Sequence, residues 1–180
     1  MRGLRGLIDD WRAKGQLKVV KGADSDLEIG GISEVSGMGA EPPALIFDDI
    51  PGYPKGYRVL TNMFQTQRRT AQALGLLETL RGPTLVDAIR KRMENYKSLP
   101  PQSVSSGPLT QNVVQGKEID VFKFPAPKLH KEDGGKYIGT QDAVITRDPE
   151  GNWVNLGTAR VQLQDASTVS IYISPGKQTR

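Results

Sequence analysis

Residues 151–165 read GNWVNLGTARVQLQD, and this stretch decides how the second half of the chain folds. Apolar and polar residues largely alternate along it, which predicts a half-buried β-strand. Asn155 and Arg160 lie inside the strand, five positions apart, so a regular strand places them on opposite faces. Gly157, between them, leaves room for the close approach of a backbone or a ligand. This combination marks the strand as a candidate site.

The two polar side chains have chemistry that suits a ligand. A buried Arg without an anionic partner costs several kcal/mol, and its planar fork matches a carboxylate or a phosphate. The amide oxygen of Asn is a ligand for hard cations. The plain alternative is that Asn155 and Arg160 both point to solvent, and the pattern alone leaves this alternative open.

Around this strand the periodicity divides the chain near residue 110. Before it, helical and strand patterns mix; after it, the two-residue period of strands dominates. The predicted helices cover residues 3–14, 27–36 (with Asp26 as N-cap), 67–76 and 83–96, and the predicted strands cover 17–20, 43–47 and 57–63. Residues 98–109, SLPPQSVSSGPL, fit no period and predict a linker. The later strands are predicted at 112–115, 119–122, 136–148, 153–165 and 168–174. We therefore expect an α+β domain at residues 1–110 and a β-rich domain at residues 111–180.

Composition restricts the class of protein. The chain has 180 residues, no cysteine and a formal net charge of +4, with 37% hydrophobic residues. Thiolate metal sites and disulfides are therefore excluded, which suits a reducing cytoplasm. No stretch reaches the roughly 18 apolar residues of a membrane span, and the N-terminus lacks the apolar core of a secretory signal. Basic residues do not form a run interleaved with aromatics, which argues against nucleic-acid binding. The net charge is typical of a solvated mixed surface, and the alternative is that it serves an anionic ligand such as a phosphate.

The sequence offers few residues for a histidine-dependent metal site or catalytic triad. His130 is the only histidine, so a histidine-rich zinc site is excluded and a serine triad would need this residue. It precedes KEDGG, whose Asp-Gly step predicts a tight turn, and we interpret it as an ordinary loop histidine. The β-rich part offers about five strands, fewer than a closed barrel needs. We expect a partner chain or a longer polypeptide to complete it.

The order of several motifs resembles the UbiD family of decarboxylases. WVNLGTARVQL and IYISPGK are similar to its prenylated-flavin-binding segment, and PALIFDDIPGYP, RVLTNMF and FKFPAPKLHKEDGGKYIGTQDAVITRDPEG precede them in the family's order, from about residue 43 to 180. The resemblance implies reversible decarboxylation of an aromatic or α,β-unsaturated acid. It implies prenylated FMN, a divalent metal such as Mn²⁺, and K⁺ as cofactors, bound in a split β-barrel like that of flavin reductases.

The resemblance also implies roles for individual residues. Asn155 matches the asparagine that ligates the metal at the flavin phosphate, and Arg160 matches the catalytic arginine that faces the substrate carboxylate. The implied cofactor-binding set is Asn155, Gly157, Thr158, Ala159, Arg160, Lys177 and Gln178. Some members have a metal-binding histidine where this chain has Gln178.

The catalytic glutamates, a metal-binding glutamate and the oligomerisation domain of the family lie beyond the equivalent of Arg180. The resemblance therefore implies the N-terminal part of a UbiD-type carboxy-lyase that forms a homo-oligomer when complete and receives its cofactor from a flavin prenyltransferase. An alternative is a short flavin-binding or assembly subunit without catalysis of its own. The substrate is expected to be an aromatic, heteroaromatic or acrylic acid.

Overall fold

The computed structural model describes residues 3–97 and 102–177. Four α-helices lie in the first half of the described chain: α1 (Leu4–Ala13), α2 (Glu28–Gly37), α3 (Gln67–Ala73) and α4 (Gly82–Glu94). Three short strands lie among them and form one sheet in the order β1-β2-β3: β1 (Leu17–Lys21), β2 (Ala44–Asp48) and β3 (Val59–Thr61). These elements confirm the predicted mixture of helices and strands, with bounds that shift by a few residues. The architecture is α+β.

A second sheet follows, with antiparallel strands in the order β4-β5-β6: β4 (Tyr137–Arg147), β5 (Val154–Leu163) and β6 (Val169–Ile171). The strands predicted at 136–148, 153–165 and 168–174 are thereby confirmed. None of the helices in the described ranges has the length and apolar character that crossing a membrane requires.

The strands predicted at residues 112–115 and 119–122 were wrong. Single 3₁₀ turns stand in this region, at Pro108–Thr110, Gly116–Glu118 and Val121–Lys123. Gly116 adopts a left-handed conformation with φ 59°, and the Asp120 carboxylate accepts a hydrogen bond from the Phe122 backbone N–H at 3.0 Å. Local turns of this kind supply hydrogen bonds to backbone groups without a partner strand. The valines of the segment therefore match a strand pattern although no strand forms there.

Two element ends also differ from expectation. The strand predicted at 57–63 is restricted to Val59–Thr61, and Asn62, at φ 56°, leaves the extended conformation directly after it. Asp26 is not the cap of α2. Instead the Asp24 carbonyl accepts the Ile29 N–H at 3.1 Å, and the Glu28 carboxylate accepts the Asp24 N–H at 2.8 Å.

By compactness the chain forms two units, each built from separate segments. The first unit comprises 1–19, 35–46 and 60–118, and the second comprises 20–34, 47–59 and 119–180. These units group residues by spatial contact and do not divide the chain at one position in sequence. The division of the chain into domains at 1–110 and 111–180 stays a prediction.

In the first unit the core is built around Trp11. Trp11 is fully buried with Leu17, Ala44 and Ile46, and its indole N–H donates to the Gln72 side-chain oxygen at 2.9 Å. Arg69 lies over the indole ring, 6.0 Å from its centroid, and is itself buried. The Arg69 guanidinium donates to the backbone carbonyl oxygens of residues 62 and 63 at 2.9 and 2.8 Å. A buried charged side chain therefore hydrogen-bonds the backbone of a half-buried turn.

We expect Arg69→Met to lower the free energy of unfolding by about 2–4 kcal/mol, because two charge-assisted hydrogen bonds to backbone carbonyls are lost. Urea denaturation of the parent and the variant measures this loss. The matched control is Arg5→Met on the exposed side of α1, which should stay within about 0.5 kcal/mol of the parent. Equal stabilities of the two variants would contradict the structural role of Arg69.

In the second unit, α2 begins in close contact with residues 125–129. The Leu27 N–H donates to the Lys128 carbonyl and the Lys128 N–H donates to the Ser25 carbonyl, both at 2.9 Å. A Cβ atom at Gly30 would overlap the backbone of Leu129, so only glycine permits this approach. Pro125, Ala126 and Pro127 are buried in the same segment. The Pro-rich stretch before His130 is thus held against the start of α2, and a turn at residues 130–133 separates it from β4.

Candidate functional site

Strand β5 separates the two polar residues that the sequence singled out. Asn155 is buried, and it shares its face with the half-buried Gly157 and Ala159. Arg160 lies on the other face and is exposed. The antiparallel register places Thr146 opposite Asn155 and Val144 opposite Gly157. The opposite orientation of Asn155 and Arg160 agrees with the strand prediction, and the solvent-facing alternative holds for Arg160 but not for Asn155.

An open groove of about 420 Å³ lies along β5 and the segment that follows β6. Its lining combines consecutive β5 residues, one residue of β4 and the chain after Ile171. The lining residues are Val144, Asn155, Leu156, Gly157, Thr158, Ala159, Tyr172, Ile173, Ser174 and Lys177. Five of the seven residues singled out from the sequence therefore meet in one groove.

Lys177 reaches the groove from a turn. The Lys177 N–H donates to the Ser174 carbonyl at 3.2 Å, and Gly176 takes the left-handed conformation, φ 81°, that the turn requires. Lys177 is exposed, so its ammonium adds a positive charge at an open part of the groove. An anionic group such as a phosphate suits this position. Gln178 lies outside the described residues.

Arg160 is not part of the groove lining. Its guanidinium lies over the ring of Tyr137, with the guanidinium carbon 5.9 Å from the ring centroid. Tyr137 begins β4 and is half-buried. The structure therefore presents two neighbouring features of one sheet: a groove lined by β5 residues of both faces, and an arginine over an aromatic ring on the face that also carries Leu156 and Thr158.

Tyr137, Tyr172 and Ser174 lie at or near the site but are not among the residues that the sequence singled out. Tyr137 lies 23 positions before Arg160, and no short-range pattern links the two residues. Tyr172 and Ser174 stand in a strand-like run, IYIS, whose alternation predicts faces but not a groove. Only the pairing of strands reveals these contributions.

Metal ligands are few in the described residues. Within 3–97 and 102–177, no three His, Cys, Asp or Glu side chains cluster closely enough to hold a metal ion. His130 is exposed, and its backbone N–H donates to the Asp133 carboxylate at 2.9 Å, within a turn. Asn155 can therefore supply one ligand atom to a metal, and the described chain does not offer a complete coordination sphere.

Asp142 is an additional titratable group on the Asn155 face of the sheet, opposite Ala159. Its Oδ2 atom is buried and has no hydrogen-bond partner in the described part of the chain. Burial raises the pKa of the Asp142 carboxyl. The folded state therefore holds this proton more tightly than the unfolded chain does. As pH rises above the unfolded pKa of about 3.9, the free energy of unfolding that Asp142 contributes falls, until the pH exceeds the folded-state pKa.

Asp142→Asn removes this titration. We expect the free energy of unfolding of the variant minus that of the parent to increase as pH rises from about 3. The difference should then become constant above the folded-state pKa of Asp142. Urea denaturation of both proteins at a series of pH values measures the difference. A difference that does not change with pH would mean that Asp142 titrates alike in the folded and unfolded chains.

Two family models match the chain in succession. The 3-octaprenyl-4-hydroxybenzoate carboxy-lyase N-terminal domain matches residues 8–92, and the Rift-related domain of the same carboxy-lyase matches residues 102–180. Together they cover most of the chain. The two models appear in the order expected from the resemblance.

Two individual proteins are similar to this chain over most of its length. The pyrrole-2-carboxylic acid decarboxylase of Pseudomonas aeruginosa is 30% identical over 174 residues, covering 92% of this chain and 35% of that protein. The vanillic acid decarboxylase of Sedimentibacter hydroxybenzoicus, in its open form, has a TM-score of 0.85 at 29% identity, covering 95% of this chain and 37% of the other.

A further solved structure has the same fold. An evolved dimeric form of the UbiD-class enzyme HmfF from Pelotomaculum thermopropionicum, in complex with prFMN, has a TM-score of 0.78 at 24% identity, covering 97% of this chain and 39% of that one. The chain thus spans little more than a third of the length of the proteins that it matches. The successive family models, with these similarities, confirm the resemblance seen in the motifs: the chain belongs to the UbiD family of carboxy-lyases, whose N-terminal portion it matches.

Proposed function

We propose that this chain is the N-terminal part of an enzyme that reversibly removes CO₂ from an aromatic or α,β-unsaturated carboxylic acid with the help of prenylated FMN. The observation that carries the proposal is the groove in which Asn155, Gly157, Thr158, Ala159 and Lys177 meet. These are residues that the family resemblance assigns to the cofactor, and they come from two separate stretches of sequence.

The residues of the groove fit a flavin phosphate. Its volume of about 420 Å³ lies within the roughly 300–1,000 Å³ that is usual for small-molecule sites. Gly157 has no side chain to obstruct a ligand, and Lys177 brings a positive charge. When bound, prenylated FMN supplies the electron sink that no protein side chain offers for decarboxylation. The backbone at Thr158 and Ala159 would line the cofactor.

Asn155 is proposed as one ligand of a divalent metal, such as Mn²⁺, at the cofactor phosphate. An amide oxygen on a buried strand face is a suitable hard ligand. Further ligands would come from outside the described residues, and Gln178 is proposed to contribute there. We extend the proposal to K⁺ as a second ion, on the family resemblance alone.

Arg160 is proposed to bind the carboxylate that leaves as CO₂. Its exposed guanidinium has donors suited to two parallel hydrogen bonds with a carboxylate, which fixes the direction of the bond that breaks. A glutamate from a later part of the polypeptide is proposed to supply the proton that replaces CO₂. The chain itself would thus orient the acid and hold the cofactor.

The fold supports a finer architectural proposal. The antiparallel sheet β4-β5-β6 would be the beginning of a split β-barrel that binds the flavin, with the remaining strands outside this chain. In the complete protein we propose a homo-oligomer, with a flavin prenyltransferase as the supplier of the cofactor.

The test is to produce the complete protein together with a flavin prenyltransferase and to incubate it with vanillate and with pyrrole-2-carboxylate. Expected results are loss of the acid, release of CO₂ and exchange of labelled bicarbonate into the acid, all dependent on the prenyltransferase. Flavin that copurifies without turnover of either acid would favour the alternative of a flavin-binding or assembly subunit. Absence of flavin would overturn the assignment of the groove.

A further inference from the structure

Arg160 lies exposed on the surface of the β4-β5-β6 sheet. No ion pair between Arg160 and an acidic side chain occurs in residues 3–97 and 102–177. The contact that the structure does give this guanidinium is with the ring of Tyr137, at 5.9 Å. This distance is within the roughly 6 Å over which an arginine and an aromatic face attract each other. The cation is thus held by a neutral group and keeps its capacity to bind an anion.

An irregularity in β4 brings the ring to this position. Toward the end of β5 the partners are Asp142↔Ala159, Gly139↔Val161 and Tyr137↔Gln162, with register shifts between successive pairs. If the register of Asp142 continued without interruption, Gly139 would stand opposite Gln162. The shifts put Tyr137 there instead, on the face of the sheet that carries Arg160. Bulges of this kind re-aim side chains next to active sites.

The backbone of β4 is fixed where Tyr137 stands. The Tyr137 N–H donates to the carbonyl of the buried Pro127 at 3.1 Å, and the Lys136 carbonyl accepts the Leu163 N–H at 3.0 Å. Hydrogen bonds on both sides of the residue leave little freedom to its Cα. The backbone therefore fixes the point from which the half-buried ring projects toward Arg160.

We infer that Tyr137 is a positioning residue that holds the Arg160 guanidinium in the orientation that receives the substrate carboxylate. A guanidinium that lies over a ring keeps its in-plane N–H donors available at the edge, and it loses rotamer freedom before the acid arrives. This inference rests on the proposed function, because it gives Arg160 a carboxylate to bind. The aromatic face of Tyr137 orients the guanidinium, and the phenol hydroxyl is not needed for this orientation.

The test compares Tyr137→Leu and Tyr137→Phe in the complete, cofactor-loaded enzyme. We expect Tyr137→Leu to reduce kcat/KM about 5- to 30-fold, the range of a cation–π contact from exposed to desolvated surroundings. Tyr137→Phe should stay within a factor of about 2 of the parent, because the aromatic face remains. Tyr96→Leu, which removes an exposed tyrosine beyond α4, is the matched control and should equal the parent.

Binding measurements separate positioning from a general structural effect. The probes are the acids vanillate and pyrrole-2-carboxylate, each compared with its product without the carboxylate, 2-methoxyphenol or pyrrole. Tyr137→Leu should weaken binding of the acid and leave binding of the product unchanged, with the parent content of flavin. Equal weakening of acid and product, or loss of flavin, would indicate a structural role and overturn the inference.

A double-mutant comparison identifies the partner. In an Arg160→Lys background, Tyr137→Leu should have a smaller effect than in the parent, because the stacked guanidinium is already absent. If Arg160→Lys weakens acid binding and Tyr137→Leu does not, only the positioning inference fails. If Arg160→Lys itself leaves acid binding and turnover at the parent level, the proposed role of Arg160 fails with it.

Discussion

Arg160→Lys in the complete enzyme is expected to reduce the rate of decarboxylation about 30- to 1000-fold while flavin stays bound. Lysine keeps the positive charge, but it cannot present two coplanar donors to a carboxylate. Loss of one charge-assisted contact that persists through the reaction typically costs about 2–4 kcal/mol, which corresponds to this range of rates. The measurement is CO₂ release at saturating acid, with flavin content determined spectroscopically.

Stability should change little in this variant, since Arg160 is exposed on its strand and is not a core residue. The matched control is Arg147→Lys at the end of β4, an exposed arginine with the same change of side chain. It should retain the parent rate within a factor of about 2. A parent rate in Arg160→Lys as well would mean that Arg160 is an ordinary surface residue.

Asn155→Ala is expected to lower the content of divalent metal and flavin together, by about tenfold or more, because one ligand would serve both. The residue is buried next to the groove, and Ala offers no oxygen at this position. The measurement is metal analysis and flavin absorbance of purified protein. Asn152→Ala, an exposed asparagine in the turn before β5, is the control and should retain both.

A second substitution keeps this test independent of folding. Asn155→Asp retains an oxygen at the same distance along the side chain, so it should retain metal better than Asn155→Ala. Thermal denaturation of the three proteins shows whether the fold persists. Full flavin and metal content in a folded Asn155→Ala protein would exclude the ligand role.

Helix α1 and strand β5 show how much of the fold local patterns predict. The spacing of Leu4, Leu7, Ile8 and Trp11 predicted a helix that the structure confirms at Leu4–Ala13. The alternation around Arg160 predicted the strand that the structure confirms at Val154–Leu163. Both elements bury one face, and a buried face leaves a period in the sequence. Residues 112–122 lack such a face: Val113 and Val114 are exposed, and their strand prediction was wrong.

The burial of Asn155 illustrates the limit of the same method. Within β5 the apolar residues stand at even positions at the start, as Val154 and Leu156, and at odd positions at the end, as Val161 and Leu163. Because the apolar residues change from one face of the strand to the other, the sequence does not predict which face is buried. The structure buries Asn155 and Leu163 and exposes Val154 and Leu156. Pairing with β4 places Asn155 opposite Thr146, and the paired residues of the two strands are at least seven positions apart in sequence.

By itself, the sequence determined the α+β class, the main helices and the last three strands, and its motifs identified the family and the residues to inspect. Only the tertiary structure decided that Lys177 meets Asn155 in one groove and that Tyr137 lies beneath Arg160. The physical reason is register. Side chains on neighbouring strands meet according to backbone hydrogen bonds and bulges, and a shift of one residue changes every pairing without changing the local period.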